Sequence, residues 1–122
     1  MTVKEFYDRI GGDYSGTLAR FMSEKRILRF VRMFPEDPSF REVERFLSED
    51  SLEQAFHSAH TLKGVCLNIG FTRLYEHAND ITEALRERND EKVKDCFPRL
   101  KECFNEILGG IAELEDSCIS GS

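Results

Sequence analysis

The stretch Ser51-Leu52-Glu53-Gln54-Ala55-Phe56-His57-Ser58-Ala59-His60-Thr61-Leu62-Lys63-Gly64-Val65-Cys66-Leu67-Asn68-Ile69-Gly70 decides the fold of this 122-residue chain. It carries two of the chain's forty formal charges, Glu53 and Lys63. Its apolar residues recur at three- and four-residue steps, the period of a helix. Ser51-Leu52-Glu53-Gln54 has the pattern of a capping box, and Gly70 stands where a glycine closes a helix. At about 100° per residue, Leu52, Ala55, Ala59, Leu62, Cys66 and Ile69 collect on one side. Glu53, His57 and Gly64 cluster around His60 on the other, with Phe56, Lys63 and Leu67 on the same half. The helix therefore has a core stripe, and His60 is off it.

Working outward, helical periodicity dominates and strand signals are missing. Residues 2–9 read as a short helix ended by Gly11-Gly12. Asp13 caps a second, with Leu18 and Phe21 pointing inward. Ser23 starts a third, in which Ile27, Phe30, Val31 and Phe34 form an apolar face. Pro35 stops or kinks it. Asp37-Pro38 restarts the chain as N-cap and first helical residue, and Phe40, Val43, Phe46 and Leu47 supply the buried side. After Gly70, a helix beginning near Thr72 carries Leu74, Ala78, Ile81 and Leu85. Asn89-Asp90 is a turn. The last helix holds Val93, Phe97, Leu100, Phe104, Ile107, Ile111 and Leu114. Pro98 either kinks it or marks its true start. Gly109-Gly110 weakens it, and 117–122 are expected to fray.

Short connections at 48–51, 70–72 and 88–90 make successive helices antiparallel. The expectation is an all-α fold: an antiparallel up-down four-helix bundle with short additional N-terminal helices. The chain reads as a single domain, with residues 1–22 as a helical extension packed on a bundle of residues 23–118.

Composition narrows the function. The net charge of −6 argues against nucleic acid as the main partner. No apolar run approaches the roughly 20 residues that span a membrane. The N-terminus lacks a basic segment followed by an apolar core, so a cytoplasmic location is expected. Cys66, Cys96, Cys103 and Cys118 form no C-x-x-C pair and read as reduced structural thiols. No zinc spacing is present, and His57 with His60 lacks further ligands, so no metal is expected. Lys25, Arg26, Arg29 and Arg32 make a basic stretch, which is either a solvated helix face or a docking patch for an acidic partner.

His60 has the surroundings of a reactive group rather than an idle one. A mid-helix glycine costs about 1 kcal/mol relative to alanine, yet Gly64 stands one turn from the imidazole. It leaves room for a phosphoryl group or a partner's backbone. Lys63, at i+3, reaches a group attached to the ring. A neutral imidazole is a nucleophile near neutral pH, and an ammonium stabilises a phosphoryl product.

His60-Thr61-Leu62-Lys63-Gly64 followed by Gly70 resembles the signature of the histidine-containing phosphotransfer (HPt) domain of two-component phosphorelays. The pattern is a histidine, Lys-Gly at the third and fourth positions after it, and a second glycine six residues on. The resemblance is specific over 51–88 and agrees in architecture over 23–116. It implies a four-helix bundle with His60 as phosphoryl acceptor, Lys63 beside the phosphoryl group, Gly64 giving clearance and Gly70 ending the helix. It also implies a carrier that accepts phosphoryl from a receiver-domain aspartate and passes it to another response regulator. The partner, a receiver domain or hybrid histidine kinase, supplies Mg²⁺ and the catalytic groups, so no cofactor is expected of the chain itself. No P-loop or other nucleotide motif is present. Docking is expected at Phe56, His57, Gly64 and Leu67, with Arg26 and Arg29 steering an acidic receiver, and the chain is expected to act as a monomer. Two alternatives stand beside this: an unphosphorylated module that docks on and inhibits a kinase or receiver, and a small enzyme using His60 with Cys66. His57 reads as solvated or as a contributor to docking, and His77 as a half-buried packing residue.

Overall fold

The computed structural model describes residues 1–120, with side chains through Leu114. The fraying expected at 117–122 and the thiol of Cys118 thus lie outside the described side chains. The described residues form seven α-helices and no strand: α1 (Val3–Ile10), α2 (Tyr14–Phe21), α3 (Glu24–Met33), α4 (Ser39–Ser48), α5 (Leu52–Ile69), α6 (Thr72–Arg86) and α7 (Asp90–Ser120). A 3-10 turn, Phe34–Glu36, follows α3 and contains Pro35.

Local chemistry explains most of the boundaries. Thr2 and Glu5 make a reciprocal capping box at α1, Asp13 accepts from the Gly16 N–H at α2, and Ser23 accepts from the Arg26 N–H at α3. Asn89 accepts from the Lys92 N–H at the start of α7. Two expected starts differ. Ser51 precedes α5, but its hydroxyl caps nothing, so the capping box is not formed. Its ψ is 72°, whereas the capping Thr2 and Ser23 are extended at 165° and 148°. The tight turn from α4, with Asp50 at φ 57° and the Ser51 N–H on the Phe46 carbonyl, imposes that angle. α4 begins at Ser39, one residue late. Pro38 is its cap residue, and the Asp37 carboxylate accepts from the Ser39 N–H at 2.9 Å. Pro98 lies within α7, eight residues past its first, so it does not mark the start of that helix.

Successive helices α4, α5, α6 and α7 pack on one another. α5 and α6 run antiparallel, since Lys63 meets Asn79 and Phe56 meets Arg86. α4 and α7 do likewise: Phe40 stacks on Phe104 at 4.1 Å and Glu44 pairs with Lys101 at 2.7 Å. The core stripe of α5 is buried at Ala55, Ala59, Leu62, Cys66 and Ile69. Leu74, Ala78, Ile81 and Leu85 face it from α6, and Leu100, Phe104, Ile107, Ile111 and Leu114 come from α7.

The first helix is built into this core. Phe6 and Tyr7 are fully buried, and a Cβ on Gly110 would stand 2.9 Å from the Phe6 ring. Gly110 thus seats Phe6 against α7, while Gly109 faces open space. The α3 face is narrower than its periodicity implies. Ile27, Val31 and Phe34 are buried, but Phe30 is 38% exposed and stacks on Phe21 at 4.9 Å. Ile27, Val31 and Phe34 follow one i, i+4, i+7 line, and Phe30 falls on its flank, over α2. In α2 the deepest residue is Thr17, with Leu18 and Phe21 half-buried.

Gly70 closes α5 in the left-handed region at φ 73°, and its N–H returns to the Cys66 carbonyl. A Cβ there would collide with the Thr17 hydroxyl. Gly70→Ala is therefore expected to destabilise the fold by at least about 1–2 kcal/mol from the left-handed backbone alone, with the collision adding to it. Urea denaturation of the variant checks this as a lowered midpoint.

Candidate functional site

α5 presents its outer face to solvent. Glu53, His57, His60, Thr61, Gly64 and Leu67 are all exposed, and Leu67 keeps 62% of its surface. Phe56 is half-buried at the edge of this face. Its ring lies parallel to the His60 imidazole, 14° between planes and 6.4 Å between centroids. The Arg86 guanidinium carbon, from α6, lies 5.1 Å from the centroid of the same Phe56 ring. A cation, an aromatic ring and the imidazole therefore follow one another across the α5–α6 boundary.

Lys63 leans the same way. Its ammonium donates to the Asn79 side-chain oxygen of α6 at 3.1 Å. Among the described residues no carboxylate pairs with it. Glu83, one turn on from Asn79 in α6, pairs with Arg86 instead, at 3.2 Å. The Lys63 charge is thus held by a neutral group.

Gly64 is the most informative position. A Cβ built on it meets nothing within 4 Å. No neighbour in the fold demands glycine there, in contrast with Gly70 and Gly110, where a Cβ would strike Thr17 and Phe6. The clearance lies on the outside of the molecule, one turn from His60.

The back of α5 is anchored as firmly as its front is open. Ser58 is buried and donates to Glu42 of α4 at 3.3 Å. At the C-terminal end, Arg20 donates to the carbonyls of Leu67 and Asn68 at 3.2 and 3.0 Å. The Tyr7 hydroxyl donates to the Ile69 carbonyl at 2.7 Å, and the Asp13 N–H to the Gly70 carbonyl at 2.8 Å. Burial pushes the Tyr7 phenol above its ordinary range, so it stays a donor.

Of the residues singled out in the sequence, His60, His57, Phe56, Lys63, Gly64 and Leu67 share this face. Arg26 and Arg29 are exposed on α3, which meets α5 further along. There Phe30, Met33 and Phe34 line a groove of about 300 Å³ with Val65, Asn68 and Ile69. Neither arginine side chain bonds to a residue of the His60 face. His77 is half-buried. Cys66 lies fully buried on the core stripe, and burial pushes its thiol well above the ordinary range, which removes it as a nucleophile beside His60. The Cys103 thiol, also buried, is pushed up to about 11.

Asn79, Arg86 and Arg20 were not legible as site residues. Asn79, Glu83 and Arg86 do form a polar i, i+4, i+7 line beside the apolar stripe of α6. That line signals a boundary facing another helix, but only the α5–α6 register tells which α5 residues it meets.

The family model for the Hpt domain matches residues 29–110, two-thirds of the chain. The chain belongs to the Hpt domain family. The activity of this family is histidine phosphotransfer within two-component phosphorelays, and its members interact with receiver domains and histidine kinases. No curated protein and no solved structure matches the chain. The Hpt domain match begins inside α3 and ends at Gly110 in α7, so α1 and α2 lie outside it. In this Hpt domain, then, the donors to the last four carbonyls at the end of α5, Leu67 to Gly70, come from residues beyond the matched segment. No described helix of it is long and apolar enough to cross a membrane.

Because nothing in the fold fills the space at Gly64, Gly64→Ala is expected to stabilise the Hpt domain. Removing a mid-helix glycine contributes about 1 kcal/mol, a rise of about 3–5 °C in Tm. Calorimetry reads this directly; a lower Tm means that Gly64 serves the fold after all.

Proposed function

We propose that His60 is the phosphoryl acceptor of this Hpt domain, receiving the group from a receiver-domain aspartate and passing it to another response regulator. The unprotonated ring nitrogen attacks phosphorus. The P–N bond forms as the acyl-phosphate P–O bond breaks, the aspartate carboxylate leaves with the bonding electrons, and the proton on the second ring nitrogen passes to solvent. The reverse sequence returns the group to a second aspartate.

The observation that carries this reading is the pairing of an exposed imidazole with clearance at Gly64 that no part of the fold requires. A receiver must bring its aspartyl phosphate and its loops within bonding distance of the ring, and a side chain at 64 would stand in their way. Lys63 contributes a cation beside the product, which carries roughly two negative charges. Because the site is open to water, catalytic groups and Mg²⁺ come from the receiver. Phe56, His57 and Leu67 provide the contact surface, and the protein acts in the cytoplasm as a monomer. Arg26 and Arg29 act at longer range, raising the encounter rate with an acidic receiver face.

Transfer from a phosphorylated receiver is expected to leave acid-labile, alkali-stable label on the chain, and His60→Gln is expected to abolish it. Label that persists in the variant removes His60 as acceptor, and an unlabelled parent across several receivers favours the inhibitory docking module instead. Lys63→Ala is expected to slow transfer about tenfold. Gly64→Ala slows it while stabilising the fold.

Replacing Arg26 and Arg29 together with alanine is expected to lower the rate of transfer at low salt and to flatten its salt dependence. An unchanged slope places steering elsewhere.

A further inference from the structure

We infer that Asn79 is a positioning residue for phosphotransfer, holding the Lys63 ammonium on the His60 face through a neutral hydrogen bond. The inference rests on the reading of His60 as acceptor and Lys63 as its cation.

Lysine is a long, flexible side chain that loses much rotamer freedom when it is held. On an open helix face it would spend most of its time in solvent. Here its ammonium is fixed 3.1 Å from the Asn79 oxygen, and both side chains are half-buried along the α5–α6 boundary. The ordering is thus done by the resting fold, before any phosphoryl group arrives. One of the three ammonium protons is used, and two remain for phosphoryl oxygens.

The acceptor's neutrality is the telling part. α6 is well supplied with carboxylates: Glu76, Asp80 and Glu83 surround position 79 in sequence. An acid at 79 would hold Lys63 more strongly, but it would also cancel the charge needed beside a phosphoryl group and repel that group. An amide anchors the lysine without either effect. Among the described residues Asn79 is the one side-chain hydrogen-bond partner of Lys63, so removing it frees the ammonium.

The test is a double-mutant cycle on the full chain, with phosphoramidate as a partner-free phosphoryl donor and ³¹P NMR reading phosphohistidine. In the parent the label is expected on His60 and absent in His60→Gln; label elsewhere, or none, overturns the acceptor reading and the inference with it. Given that label, Asn79→Ala is expected to slow phosphorylation about fivefold in the parent but not in a Lys63→Ala background. Asn79→Asp, which keeps the acceptor and cancels the charge, is expected to slow it more than Asn79→Ala does, and Asn79→Gln to restore part of the rate. Thermal melts establish that each variant is folded. Equal losses from Asn79→Ala with and without Lys63 overturn the inference, because a purely structural role acts in both backgrounds. So does an unchanged rate, and both leave His60 as acceptor.

Discussion

The last turn of α5 ends in five carbonyl oxygens, Cys66 to Gly70, and each has a donor. A helix C-terminus ordinarily leaves its final carbonyls to water. Here the N–H groups of Gly70 and Phe71 return to Cys66, Arg20 takes Leu67 and Asn68, Tyr7 takes Ile69, and the Asp13 N–H takes Gly70. The left-handed Gly70 makes this possible by turning the chain without a Cβ in a space that Thr17 already fills. The next residue, Phe71, drops into the core against Tyr7 and Phe34, with ring centroids 5.8 and 5.0 Å away. From Phe34 the aromatic contacts continue to Phe104 and Phe40, so the end of α5 is tied to α1, α4 and α7 at once.

This anchoring has a mechanical consequence for His60, about three turns inside the fixed end. The core stripe holds α5 from behind, Ser58 ties it to α4, and the capped terminus prevents it from unwinding. The exposed imidazole can therefore be solvent-accessible and well placed together, a combination that loops rarely provide. The donors to the Leu67–Gly70 carbonyls come from α1, α2 and the turn between them, outside the segment that matches the Hpt domain family. The N-terminal helices bond to the backbone of α5, several residues from the ring.

The front of the helix works by omission. Gly64 leaves space, Lys63 is held by an amide rather than paired with a carboxylate, and Glu83 is occupied by Arg86. The two glycines of the motif thus have different physical origins. Gly70 is demanded by the fold, through φ and through Thr17, whereas Gly64 is demanded by nothing in the fold. In a single sequence both look alike.

The sequence by itself determined the all-α class, the course of α5 and the division of that helix into a core stripe and an open face. All three follow from local periodicity, and the spacing of apolar residues survives whatever packs against them. It also set the α2 and α3 caps at Asp13 and Ser23, where a short polar side chain reaches the nearest orphan N–H. Ser51 has the same residue type and caps nothing, because the turn from α4 dictates its ψ. Phe30 has the same periodicity as Ile27 and Val31 but stays on the flank, because only the packing of α3 over α2 decides how wide its buried face is. Tertiary structure alone decided that Asn79 meets Lys63, that Arg86 meets Phe56, and that Tyr7 and Arg20 close the end of α5. Those pairs join residues 16 to 62 positions apart, and their register is set by how helices dock, which no local pattern encodes.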